Sequence, residues 1–207
     1  MHKIIAIANQ KGGVGKTTTC VNLASYLALM GKRVLAVDID PQGNCSSGFG
    51  IDKTKVKYST YSVLSGEVDA KAAIIPTLVK NLDIMPSNID LSAAEVQLVT
   101  EVGREQVLAG VLRQVKDEYD VIIIDCQPSL GLLTVNALTA ADGVIIPVAA
   151  EFFALRGVAL LMQSIEKVQS RINPSLEVYG VLVTMFTHTL HCDEVLQRIY
   201  EAFQGKV

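Results

Sequence analysis

Lys11-Gly12-Gly13-Val14-Gly15-Lys16-Thr17-Thr18, set between an Ile-rich run at 3–9 and an apolar-periodic run at 16–30, decides the fold. Residues 3–9 are too few for an ordinary helix and read as a strand buried on both faces. Residues 16–30 carry Val21, Ala24, Leu27 and Ala28 at helical spacing, with Gly31 where a C-terminal cap belongs. A strand, a glycine loop and a helix in that order form a cradle for phosphate. Consecutive backbone N–H groups and a helix N-terminus hold negative charge without water. The loop has to come within hydrogen-bonding range of the oxygens, which excludes β-carbons and explains Gly12, Gly13 and Gly15. Lys16 is placed to reach the β- and γ-phosphates and Thr17 to offer its hydroxyl to Mg²⁺. The expected nucleotide-binding set is therefore Lys11, Gly12, Gly13, Val14, Gly15, Lys16, Thr17 and Thr18.

Outward from the loop, strand-like and helix-like runs alternate. Strands are expected at 33–39, Leu82–Met85, 121–125, 143–147 and 178–185. Helices are expected at 61–64, 91–101, 104–117, 130–141, Ala154–Arg171 and 193–203. Residues 41–50 hold Gly43, Asn44, Ser46, Ser47, Gly48 and Gly50 and read as a mobile, turn-rich segment. This alternation implies an α/β fold, a mostly parallel twisted sheet with helices on both faces. Residues 1–207 contain no repeat or linker and read as one domain. Ligands of such sheets bind at the strands' C-terminal ends. Asp125 closes Val-Ile-Ile-Ile-Asp, the position for a carboxylate that holds Mg²⁺ through water. Asp38 and Asp40 close the second strand, and strand alternation puts both on one face, one toward the metal and one toward an attacking water.

Composition excludes several classes. The chain has 207 residues, half of them hydrophobic, and a formal net charge of −3, which is not the footprint of a protein holding nucleic acid by bulk charge. The densest basic stretch, Lys53-Thr54-Lys55-Val56-Lys57, reads as a solvated loop. Cys20, Cys45, Cys126 and Cys192 form no CxxC pair, so neither a disulfide framework nor a structural zinc site is suggested. No apolar stretch reaches membrane-spanning length, and no signal segment opens the chain. His188, His191 and Cys192 are too few for a zinc site, and Cys126 reads as a buried, inert thiol.

The loop departs from the common Gly-x-x-x-x-Gly-Lys-Ser/Thr pattern, because Gln10 stands where the first glycine belongs. With its additional lysine it resembles the variant loop of the ParA/MinD/nitrogenase-iron-protein group of P-loop NTPases. Asp38-Ile39-Asp40-Pro41-Gln42-Gly43-Asn44, Pro86-Ser87-Asn88-Ile89-Asp90-Leu91, the run from Pro128 to Leu138 and Leu182-Val183-Thr184-Met185 resemble the ParA/Soj partition ATPases. The resemblance implies a slow ATPase using ATP and Mg²⁺, with Lys11, Lys16 and Asp40 as catalytic residues. In it Lys11 reaches across a homodimer, Gly12 lies at the dimer interface, Asp40 serves hydrolysis, and Thr17 and Asp125, with Asp38, surround the metal. It further implies an ATP-bound homodimer on non-specific DNA, a ParB-like stimulating protein, and a cytoplasmic, nucleoid-associated location without membrane contact. Two other readings fit the same loop: a MinD-like membrane-positioning ATPase and a nucleotide-binding regulator without turnover. The chain departs from the family at Gln127, where Pro is usual, and at Arg156, where an acidic residue is usual. It reaches Val207 without the family's C-terminal segment for base and DNA contacts.

Overall fold

The computed structural model describes residues 2–151, 154–203 and 205–207, with the side chains of residues 154–156 and 191 outside that description. The chain begins with β1 (Lys3–Ile7), α1 (Lys16–Leu29) and β2 (Val34–Ile39). Three short helices follow, α2 (Asn44–Gly48), α3 (Thr60–Leu64) and α4 (Ala70–Ala73), then β3 (Ile75–Pro76) and β4 (Leu82–Met85). Next come α5 (Leu91–Leu98), α6 (Val107–Arg113), β5 (Val121–Cys126) and α7 (Leu132–Ala140). The last described elements are β6 (Gly143–Ala149), α8 (Ala154–Arg171), β7 (Glu177–Thr184) and α9 (Leu190–Phe203).

The strands form one seven-stranded sheet in the order β3-β4-β2-β5-β1-β6-β7. Every pairing is parallel except β3 with β4. Alternate residues of the central strands feed two cores. Ile7, Val34, Ala36, Ile84 and Ile123 pack under Cys20, Ala24 and Ala28 of α1 and Cys45 of α2. Leu35, Val37, Ile122, Ile124 and Ile146 pack on the opposite face under helices that include α5, α6, α7 and α8. Burial of both faces is why these strands read as unbroken apolar runs. The expected α/β architecture is the one observed, and the strand and helix positions agree to within a few residues.

Three expectations change. Residues 41–50 are not a loose loop: Gly43, at φ 62°, starts the short α2, whose Cys45 and Ser46 are fully buried. Glycine is required at 43, because a β-carbon there would lie 2.7 Å from the Ser87 carbonyl oxygen. The antiparallel β3 was invisible in sequence, since two residues carry no period. The helix expected at 104–117 is broken into a 3₁₀ turn at Arg104–Gln106, α6, and a second 3₁₀ turn at Lys116–Glu118. Asn136 on α7 accounts for the first break. Its buried amide accepts the Leu108 N–H (3.0 Å) and donates to the carbonyls of Arg104 (2.7 Å) and Leu132 (3.0 Å), replacing helical bonds there.

Asn136→Ala leaves the Leu108 N–H and the Arg104 carbonyl without that partner in a dry setting. Urea unfolding is expected to show a loss of about 2–4 kcal/mol with an unchanged denaturant slope.

Candidate functional site

The glycine loop is braced from three strands. Past the end of β1, the Asn9 amide donates to the Pro147 carbonyl of β6 (2.7 Å) and accepts the Lys11 N–H (3.0 Å). The Thr184 hydroxyl, at the end of β7, donates to the Val14 carbonyl (2.9 Å). Gly13 and Gly15 adopt φ 73° and 85°, the left-handed region where a side chain is strained. The Lys16 ammonium, buried at the start of α1, closes the loop by donating to the Lys11 carbonyl (2.9 Å). Burial holds the Lys16 pKa below its ordinary value, against the opposing pull of Asp125. The loop opens on a cavity of about 300 Å³, whose other walls are Asp40, Asn44, Pro128 and Met185.

Parallel pairing brings the carboxylates together. Asp125 is the register partner of both Ile7 and Asp38, and Asp38 and Asp125 are fully buried. The Thr17 hydroxyl donates to Asp125 Oδ2 (2.7 Å), while Asp125 Oδ1 is buried without a hydrogen-bond partner. Burial first, and the Asp38 charge second, push the Asp125 carboxyl up to about 7. An orphaned buried carboxylate oxygen beside a threonine hydroxyl fits a small, hard, oxygen-seeking cation such as Mg²⁺. Among the described residues no group of three His, Cys, Asp or Glu side chains forms a metal cage. A cation here would therefore complete its shell from water and phosphate oxygens, as Mg²⁺ does.

The Asp38 carboxylate, expected near the metal, is engaged by residues 40 and 46. Its Oδ2 accepts the Ser46 N–H (2.8 Å) and hydroxyl (2.7 Å), and its Oδ1 accepts the Asp40 N–H (3.1 Å). It is committed to holding α2, and burial raises its carboxyl to about 6. β2 ends at Ile39, so Asp40 lies one residue beyond the strand. Asp40 lines the cavity and accepts the Gln42 N–H (2.9 Å).

Lys11 pairs with the Glu151 carboxylate of its own chain. Both side chains are substantially exposed, so the pair contributes roughly 0–1 kcal/mol and exchanges readily for a stronger partner. Sequence reasoning gave no role to Asn9, Ser46, Glu151 or Thr184. Three of these, Asn9, Glu151 and Thr184, sit at or just past the C-terminal ends of β1, β6 and β7, the one signal that could have singled them out. Gln127 donates to Glu95 on α5 (2.8 Å), giving the departure from proline a partner. Cys126 is buried, and burial drives its thiol well above the usual range, as suits an inert core residue. The side chains of Arg156 and His191 lie outside the described residues.

Comparison with known proteins agrees with this geometry. Residues 2–178 match the family model described as an AAA domain. The chain is 50% identical over 208 residues to the sporulation initiation inhibitor protein Soj of Bacillus subtilis, covering 100% of this chain and 82% of that protein. It is 48% identical to the chromosome partitioning protein ParA of Caulobacter vibrioides, covering 98% and 77%. A Mycobacterium tuberculosis relative is 53% identical over 97% of this chain, and the chain spans 64% of that protein's length. A solved structure named cobyrinic acid a,c-diamide synthase, from Mycobacterium smegmatis with bound ADP and magnesium, superposes with a TM-score of 0.93. The identity there is 42%, over 97% of this chain and 82% of that one. By its loop, its sheet and these relatives, the chain belongs to the family of ParA/Soj-type partition ATPases.

Proposed function

We propose that the chain works as an ATP-driven partition switch: it binds ATP with Mg²⁺, closes with a second copy around the nucleotide, and hydrolyses it slowly. In the ATP-bound dimer it binds DNA without sequence preference, and a ParB-like protein speeds hydrolysis and releases it. The observation that carries this reading is the Thr17–Asp125 pair, with its orphaned Oδ1, beside the buried Lys16 ammonium and an open glycine loop. The M. smegmatis relative was solved with ADP and magnesium, and its match to this chain supports the same ligands here.

The backbone amides from Gly12 to Thr18 cradle the phosphates, and Lys16 neutralises the β- and γ-oxygens. Thr17 and Asp125 would hold Mg²⁺. The ion, when bound, would supply charge neutralisation on the phosphate oxygens. Asp40, on the cavity wall, positions the attacking water. Lys11 leaves Glu151 and reaches the partner's phosphates. The conformation at Gly12 supports a close approach from outside the chain. Its φ is not positive, and a β-carbon would meet only Pro128 Cβ, at 4.0 Å, so the fold itself tolerates a side chain there. Among the described residues no helix is long and apolar enough to cross a membrane.

Lys16→Ala is expected to abolish nucleotide binding in a fluorescent-nucleotide titration, while Asp40→Ala binds normally and loses about 100-fold or more in phosphate release. Normal turnover by Asp40→Ala would remove Asp40 from the chemistry. Gly12→Val should keep the wild-type unfolding free energy in urea to within about 0.5 kcal/mol and yet show no ATP-dependent dimer in light scattering. Retention of Asp40→Ala on a long, unrelated DNA duplex with ATP-Mg²⁺ but not with ADP is the outcome that supports the DNA-binding state. Its affinity should fall steeply as salt is raised. Binding in neither state would set the DNA part of the reading aside.

A further inference from the structure

Cys20 and Cys45 stand 25 residues apart in sequence, and the fold sets their sulfurs 3.7 Å from one another. Cys20 lies on α1, one turn beyond Lys16, and Cys45 is the second residue of α2. Both side chains are fully buried between the two helices, and neither takes part in the phosphate cradle or the carboxylate pair. The helices they join are the two elements that flank the cavity. α1 carries Lys16, Thr17 and Thr18, while α2 begins at Asn44 on the cavity wall and hangs from Asp38 through Ser46. A disulfide bond is about 2.05 Å long, so closing the gap requires an approach of roughly 1.7 Å, within the reach of side-chain rotation and a small helix shift.

We propose that Cys20 and Cys45 form a reversible disulfide under peroxide, clamping α2 to α1. The chemistry balances in two steps. One thiolate attacks a peroxide oxygen, the O–O bond breaks, and a sulfenic acid and water result. The second thiol then displaces hydroxide from the sulfenic sulfur, which leaves as water and forms the S–S bond. The two thiols lose two electrons and two protons, and hydrogen peroxide becomes two waters.

The same packing protects the thiols while α2 is seated. Cys45 is driven well above the usual thiol range by its hydrogen bond to Cys20 and then by burial. For Cys20, the hydrogen bond to Cys45 lowers the pKa, but burial and the charges of Asp125 and Asp38 outweigh it and leave the thiol raised. Only the thiolate reacts with peroxide, so oxidation waits for α2 to lift and admit water. Reducing cell interiors disfavour lasting disulfides but allow transient, regulatory ones.

The test uses the full chain, reduced and then exposed to graded hydrogen peroxide. Digestion without reductant is expected to yield a peptide linking Cys20 to Cys45, lost on adding dithiothreitol. Cys20→Ala and Cys45→Ala lack it, and Cys192→Ala retains it. As the linked fraction rises, phosphate release should fall about ten-fold or more, because a conformational step is blocked, and should recover on reduction. The inference is overturned if peroxide oxidises Cys20 or Cys45 without linking them, if it modifies Cys192 alone, or if the linked protein turns over at the reduced rate. The last readout rests on the ATPase reading, whereas the linkage does not. Should the reduced chain show no turnover, amide exchange of residues 41–50 decides: slower exchange in the linked form supports the clamp, and unchanged exchange overturns it.

Discussion

Two aspartates buried side by side at the ends of neighbouring parallel strands are the constraint around which this site is arranged. Asp38 and Asp125 are register partners, and neither has access to water. Buried carboxylates are costly unless hydrogen-bonded or paired, and the chain resolves the two in opposite ways. Asp38 is supplied in full by the Ser46 amide and hydroxyl and the Asp40 amide, and it thereby fixes where α2 begins. Asp125 is supplied by half, through Thr17, and keeps one oxygen unpartnered. One carboxylate has become part of the scaffold. The other holds the electrostatic imbalance that a cation beside the phosphate cradle would relieve.

What was legible in the sequence follows from distance along the chain. The strand, the loop and α1 were readable because glycine placement, helical spacing and the Lys16-Thr17 pair are all local. The strand carrying Asp125 was readable from its uninterrupted apolar run, as befits a strand covered on both sides. The interactions that tune the site were not. Asn9 bonds to Pro147, Thr184 to Val14, and Lys11 to Glu151, each across more than a hundred residues. Periodicity carries no trace of such contacts. The misreadings have the same origin. Residues 41–50 looked loose because glycine and serine dominate them, yet Asp38 and the cover of α1 order them. The helix expected at 104–117 was broken by a side chain, Asn136, belonging to another helix.

Gln127 shows how a departure from a family pattern is absorbed. Proline at that place would offer no side-chain donor. Glutamine adds an amide, which Glu95 on α5 takes. The same glutamate lies so near Gly131 that a β-carbon there would come within 2.3 Å of its carboxylate oxygen. The segment leaving β5 is fastened to α5 through Gln127, and Pro128 within it lines the cavity.

The rim of the cavity carries an exposed ion pair. Lys11 and Glu151 pair where water reaches both, and an ion pair under those conditions is worth little. A phosphate group presented in a closed, water-poor interface attracts the same ammonium far more strongly, since the effective dielectric is lower there. The pair therefore keeps Lys11 ordered at the mouth without setting a barrier to its departure. Gly12 beside it meets little of its own chain, so close approach from outside is not opposed by the fold. Lys16, by contrast, is buried and tied to the loop carbonyl, and cannot leave without dismantling the cradle. The two lysines differ by burial: the inner one is tied into the loop, and the outer one pairs with Glu151 where solvent reaches it.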